Sequence, residues 1–360
     1  MGPKVANRPP LFSIVLAGWI AVCGTQPAAL AVLGSLLGAG RVAAVGLLGR
    51  RLVGARVGLV AAALAACYPY WVVNDPTLLE NALLGGFVAL ATWAVAGLAS
   101  APTARTALAA GALFGLAALT RESVNLAMPL VALWVLCSPP SAALRPRLVR
   151  AGLLTIAFFA VCSPWLAYTT HRFGVPAFSL SAGKSLWVGN NAHTFEHYPE
   201  RTIDIVERAA WKALDEEQRA QILSLREDER AQDAVFRGMA FERISTHPGE
   251  FVARMPRKVW ASFSPGLIPP AATTPKAVVY SVSWLLLVAA ALLGWRLVRE
   301  RLRPYRLLLA APYVSAALLS GVFWGQARLR VGYDFVLLVP AAVLVVALLD
   351  RARCRASSRV

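Results

Sequence analysis

The sequence predicts an all-α polytopic membrane protein, with about eight to ten apolar segments and a small, mostly helical extracytoplasmic domain. Two observations lead there. The first is an alternation of charge. Arg50, Arg51 and Arg56 crowd one turn, whereas the next, Tyr68 to Glu80, has no Lys or Arg; Arg105 and then Arg145, Arg147 and Arg150 mark later basic turns. Arg296, Arg299, Arg301, Arg303 and Arg306 mark another, and Arg351, Arg353, Arg355 and Arg359 close the chain. Basic turns that recur at every second connection are the positive-inside signature of a multi-pass protein. The second is composition: 58% of the 360 residues are hydrophobic, and the mean hydropathy is +0.57.

The elements follow in order. Leu11 to Cys23 is short for a span and reads as a re-entrant or interfacial helix. Spans are expected near Ala28–Leu48, Val57–Val73 and Leu78–Leu98. Ala107–Leu119 and Val124–Leu136 form a shorter pair, split by Thr120-Arg121-Glu122-Ser123; an Arg-Glu pair at the mouth of a broken element lines a cavity. Leu153–Tyr168, Val278–Leu297, Leu307–Phe323 and Phe335–Leu349 complete the set. With the basic turns in the cytoplasm, residues 173–275 fall outside, and they are too polar for lipid. Val206, Ala210, Leu214, Ile222, Phe236, Ala240 and Ile244 there repeat at helical spacing, and Pro248 ends the run. The expected organisation is a membrane region over 1–172, an extracytoplasmic loop domain over 173–275 and a second membrane region over 276–360, in the inner (cell) membrane.

The formal charge of +17 invites a nucleic-acid reading. The arginines sit at span ends rather than on one folded face, so they orient the chain and attract anionic membrane lipids instead; no nucleic-acid partner is expected. Cys23, Cys67, Cys137, Cys162 and Cys354 are scattered singly and form neither a disulfide framework nor a zinc ribbon.

Several polar groups fall on the outer side. Asp75 and Glu80 stand at the head of a span, where a carboxylate serves chemistry or caps the helix dipole. Arg121, Arg328 and Arg330 face outward in a chain that otherwise keeps Arg inside, which suits an anionic substrate or a salt bridge with Glu122 or Asp334. Gly189-Asn190-Asn191, after a strand-like stretch at Leu186-Trp187, is either a plain turn or a contact for a hydroxyl-rich ligand. His193-Thr194-Phe195-Glu196-His197 matches H-x-x-E-H, but Asn190-Asn191 before it and Pro199 after it leave no room for the long helix that a zinc peptidase needs. Gly183-Lys184-Ser185 lacks the first glycine of a P-loop.

In order along the chain, several of these patches resemble GT-C superfamily membrane glycosyltransferases, the group of the protein O-mannosyltransferases and aminoarabinose transferases. Arg8-Pro9-Pro10-Leu11 resembles the R-P-P-L start of a juxtamembrane helix. Tyr68-Pro69 followed by Glu80 resembles the Y-P…acid element, and Gly111 to Arg121 resembles the G-x-x-x-G-L-A-x-L-T-R helix. Gly189-Asn190-Asn191 resembles the G-N-N turn, and His247-Pro248 with Lys258 the h-P…K stretch. Arg328-Leu329-Arg330 to Asp334 resembles R-x-R-x-P, with Val331-Gly332 where the proline is expected.

The resemblance implies transfer of a sugar, with inversion, from a polyprenyl-phosphate-linked donor to a lipid, glycan or protein acceptor at the outer face of the membrane. With that reaction, Glu80 is the best acid present, at a position that in the family supports catalysis rather than acting as the main base. Asp75, read from its place at the span head, is the second catalytic candidate, and Arg121, Asn190, Asn191, Lys258, Arg328 and Arg330 are the substrate-binding candidates. No cofactor is assigned; the family is mixed in its use of a divalent metal, and no metal ligands are named. The family's first span and acidic first outer loop precede the R-P-P-L element, where this chain begins. The alternative expectation is therefore a truncated or catalytically degenerate GT-C-like protein that acts by binding.

Overall fold

The computed structural model describes residues 6–137, 143–267 and 275–357. Every regular element among them is helical. Four helices are long and apolar enough to cross a membrane: Pro27–Leu52, Leu144–Phe173, Pro275–Val322 and Phe335–Ser357. The bent pair Ala55–Ala66 and Pro69–Thr77 makes a fifth if it is one span. Leu11–Cys23, Asn81–Gly97, Ala104–Thr120 and Glu122–Cys137 are shorter apolar helices, so the apolar segments read from the sequence are all present as helices.

The chain divides into two compact units. One comprises Leu11–Cys162, Val279–Tyr313 and Val331–Val360. In it Pro27–Leu52 packs against Ala55–Ala66 and Asn81–Gly97, and Asn81–Gly97 packs in turn on Ala104–Thr120. Small residues permit the close approach, as in membrane bundles generally. The helix expected from Leu78 begins later, at Asn81. Asp75-Pro76-Thr77 winds into a 3-10 turn, and Leu78 takes a left-handed φ of 55°. Pro76 has no N–H to donate, and the left-handed Leu78 cannot continue the turn, so the span breaks there.

The other unit comprises Met1–Pro10, Ser163–Val278 and Val314–Arg330. Its helices are set by local signals. Asp215 and Gln218 form a reciprocal capping box at the start of Glu216–Ser224, and Asp228 caps Glu229–Thr246 through the Ala231 amide at 2.9 Å. Pro248 opens Pro248–Phe263 in the first turn, where its missing N–H is harmless. Val206, Ala210, Leu214, Ile222, Phe236 and Ala240, picked out by their spacing, are all in its apolar core. The strand-like reading of Leu186-Trp187 is corrected: both lie in the helix Ala182–Asn190. This helix buries Trp187 against Phe236, 4.9 Å between ring centroids, and tertiary packing there outweighs local β preference.

Candidate functional site

The polar groups singled out in the sequence fall into two clusters, one in each unit. In the first unit the centre is Arg41, midway along Pro27–Leu52 and 1% exposed. Its Nη2 donates to both carboxylate oxygens of Asp75, at 2.7 and 2.6 Å. Its guanidinium lies 3.5 Å from the centroid of the Trp71 ring. The backbone is shaped for this pair. A Cβ on Gly38 would run into the Asp75 carboxylate, and one on Gly85 would stand 2.8 Å from Arg41 Cδ. The Trp71 indole donates to Val331 O at 3.1 Å. Asp334, fully buried, accepts from the Tyr68 hydroxyl at 3.0 Å and from that of Tyr313 at 2.9 Å. Tyr333 and Ser123 join hydroxyls at 3.0 Å.

Glu80 is in a different situation from Asp75. It occupies the N-cap position of Asn81–Gly97, yet its side chain makes no cap hydrogen bond. Its Oε1 is 4.0 Å from Arg121 Nη1, with both side chains partly exposed, and the same Arg121 nitrogen reaches Asn81 Oδ1 at 3.4 Å. Arg121 sits where Ala104–Thr120 ends and the chain turns extended. Glu80 and Arg121 are thus brought together, while Asp75 is held by Arg41.

In the second unit Lys258 is wholly buried and donates from Nζ to Asn190 Oδ1 at 2.6 Å. Burial, aided by the charge on Arg254, pushes its ammonium down from 10.5 to about 7. Asn190 is oriented by its own donors, which reach Leu186 O at 2.8 Å and Val322 O at 2.9 Å, so its oxygen is the atom left to face the lysine. Asn191 instead closes the turn: its amide donates to Trp187 O and Val188 O, and its oxygen accepts from the His193 amide. Arg330, also fully buried, donates from Nε to Ser262 O at 3.0 Å. Arg328 lies on the same one-turn helix, Ala327–Arg330, with its guanidinium 5.6 Å from the Trp324 ring centroid. The preceding loop is pinned by Tyr198, whose hydroxyl donates to Gly325 O at 2.6 Å and accepts from Gly325 N at 3.0 Å.

The H-x-x-E-H run forms a single turn, Thr194–His197, with His193 Nδ1 2.8 Å from Glu196 Oε1. Among the described residues no three His, Cys, Asp or Glu side chains gather as a metal site would require. Three members of the clusters escaped the sequence reading: Arg41, Asp334 as an acceptor for two tyrosines, and Trp71. A lone guanidinium in the middle of an otherwise apolar span was the signal for the first.

In fold the chain is similar to GT-C membrane proteins, the group that the motif resemblance pointed to, as the comparisons with known proteins show. Residues 7–168 match the family described as dolichyl-phosphate-mannose-protein mannosyltransferase. Among solved structures, the fold resembles the archaeal oligosaccharyltransferase AglB from Archaeoglobus fulgidus in complex with an inhibitory peptide and a dolichol-phosphate. That likeness has a TM-score of 0.56 and 15% identity, over 98% of this chain and 44% of that one. The Archaeoglobus fulgidus oligosaccharyltransferase in complex with zinc and sulfate aligns with a TM-score of 0.55 and 16% identity, over 98% of this chain and 42% of its own. The chain thus spans less than half the length of these enzymes. ArnT from Cupriavidus metallidurans, bound to undecaprenyl phosphate, aligns at 16% identity over 94% of this chain and 68% of its own, with a TM-score of 0.41. No curated protein matches the chain in sequence.

Proposed function

We propose that the protein transfers a sugar from a polyprenyl-phosphate-linked donor to a lipid, glycan or protein acceptor at the outer face of the cell (inner) membrane. In this reading residues 173–275 are extracytoplasmic. The acceptor hydroxyl attacks the anomeric carbon, the bond from that carbon to the donor phosphate breaks, and polyprenyl phosphate leaves with the bonding electrons. The configuration inverts, and the hydroxyl proton passes to a carboxylate.

Glu80 is the acid suited to that proton. It is partly open to solvent, at the head of a helix and 4.0 Å from Arg121, whereas both oxygens of Asp75 accept from Arg41. Asp75 then serves by fixing the turn that carries Glu80. The observation that carries the reading is the wholly buried Lys258, whose Nζ donates to a neutral acceptor, Asn190 Oδ1. A buried ammonium on a neutral acceptor, with the buried guanidinium of Arg330 in the same unit, suits the charge that builds on a departing phosphate. Arg328 adds positive charge on the one-turn helix that carries Arg330, Arg121 is a further proposed substrate-binding cation in the other unit, and Asn190 and Asn191 hold the turn from which Lys258 takes its orientation.

The test is a transfer assay on the purified chain in lipid with a panel of radiolabelled polyprenyl-phosphate sugars. Transfer that Glu80→Gln and Arg330→Ala each abolish, with membrane insertion intact, supports the reading. Full activity in both variants refutes the site. Donor binding without turnover in the parent chain moves the assignment to the alternative, a degenerate member that acts by binding.

A further inference from the structure

A cavity of about 330 Å³ opens beside the start of the long Leu144–Phe173 helix. Its wall is mostly apolar, from Pro102, Ala104, Val149 and Leu153, and carries two arginines, Arg145 and Arg150. Arg145 is exposed. Arg150 is 6% exposed, and its Nε donates to Pro146 O at 2.9 Å. Its buried Nη1 has no hydrogen-bond partner among the described residues. A buried guanidinium nitrogen without an acceptor is unfavourable, so the site is incomplete without an anion.

We propose that this cavity binds one anionic phospholipid. The lipid phosphate accepts from Arg150 Nη1 and from Arg145, and an acyl chain lies along Val149 and Leu153. The apolar wall argues against a free anion, which would gain nothing from Val149 and Leu153, whereas a phosphodiester with a hydrocarbon chain uses both surfaces. Leu148 and Val149 are both more than half exposed, on a helix apolar enough to cross a membrane, so hydrocarbon reaches the cavity's edge. Arg105, Arg145, Arg147 and Arg150 add positive charge at this end of the chain's helices, the end that the charge pattern assigns to the leaflet rich in anionic lipid. Guanidinium matches phosphate in shape as well as charge.

The test uses the full chain purified in detergent, with bound lipid counted by native mass spectrometry. Three probes are added in parallel: phosphatidylglycerol, phosphatidylethanolamine and inorganic phosphate. The expected result is one retained phosphatidylglycerol that phosphatidylethanolamine does not replace and inorganic phosphate does not displace. Arg150→Met and Arg145→Gln should each weaken that binding by about tenfold, the scale of one lost charge-assisted hydrogen bond. Ala104→Phe, which fills the cavity while leaving both arginines, should do the same, and it keeps the test decisive together with Arg145→Gln if Arg150→Met fails to fold. Equal retention of the two lipids, unchanged binding in the variants, or displacement by inorganic phosphate alone would overturn the proposal.

Discussion

Lys258 donates from Nζ to Oδ1 of Asn190 at 2.6 Å, and neither side chain is open to solvent. No carboxylate pairs with that ammonium among the described residues, so its charge rests on a neutral amide and on the Phe251 ring, 5.5 Å to the centroid. Asn190 is in turn locked by two backbone carbonyls, so the lysine cannot simply draw its acceptor elsewhere. Charge, orientation and burial at this point are therefore one coupled arrangement.

The coupling has a pH signature. The folded chain holds the Lys258 proton less tightly than the unfolded chain does, with burial lowering the group from 10.5 to about 7. Below pH 7 both states are protonated and the penalty is fully present. Between about pH 7 and 10.5 the unfolded state binds more protons, so stability rises with pH. The midpoint of thermal unfolding in detergent should climb from pH 7 towards pH 10, and Lys258→Met should flatten that climb. A parent midpoint that falls over this window would refute it.

Arg41 and Asp75 should be stabilising only as a pair. Arg41→Leu leaves a carboxylate stranded and should destabilise the protein by about 3–5 kcal/mol, whereas Arg41→Leu with Asp75→Asn should cost clearly less than the two single changes summed. A double-mutant cycle on unfolding in detergent measures this. Additive losses would mean that the 2.6 Å contact contributes nothing beyond its separate groups.

Glu80→Gln separates chemistry from stability. The Glu80–Arg121 contact is long, at 4.0 Å, and partly exposed, so its loss should change stability by less than about 1 kcal/mol. If Glu80 takes the acceptor proton, kcat should drop by about a hundredfold or more, with little change in KM. A KM effect with kcat preserved would place Glu80 in binding instead.

Asp334 offers one oxygen to each of two tyrosines. Tyr68→Phe and Tyr313→Phe should each cost about 1.5–3 kcal/mol, as for hydrogen bonds to a charged group. Asp334→Leu should cost more than either, because it removes an acceptor from both hydroxyls at once. Chemical denaturation in mixed micelles would rank the three; a neutral Asp334→Leu would sink the prediction.

Much of this was legible beforehand. Helix breaks show as Pro76 and as the Arg121-Glu122 interruption, since a charged or proline-bearing gap in an apolar run has few other meanings. Glu80 and Arg121 stood out because polar groups at span ends are costly without a partner, whereas Asn190 stood out as part of a tight polar turn and Lys258 only through the family resemblance. The partners themselves were not legible. Asn190 and Lys258 are 68 positions apart, and no local pattern joins them. Arg41 was hidden by the hydrophobic average of its own span, although Gly38 beside it makes room for the Asp75 side chain. Leu186-Trp187 misled because a short apolar run carries no period long enough to tell helix from strand.

The tyrosine–aspartate contact also sets a schedule for biogenesis. Tyr68 and Asp334 are 266 residues apart, so at ribosomal speed the Tyr68 hydroxyl enters the membrane roughly ten seconds to a minute before its acceptor is synthesised. The Trp71 indole waits in the same way for Val331 O, 260 residues on. The early helices can pack on one another first, and the late turn at Val331–Tyr333, with Asp334 next to it, then supplies the acceptors that they lack until it is made. A nascent chain stalled before Val331 should remain open to protease and to quality control, however well its individual helices have inserted.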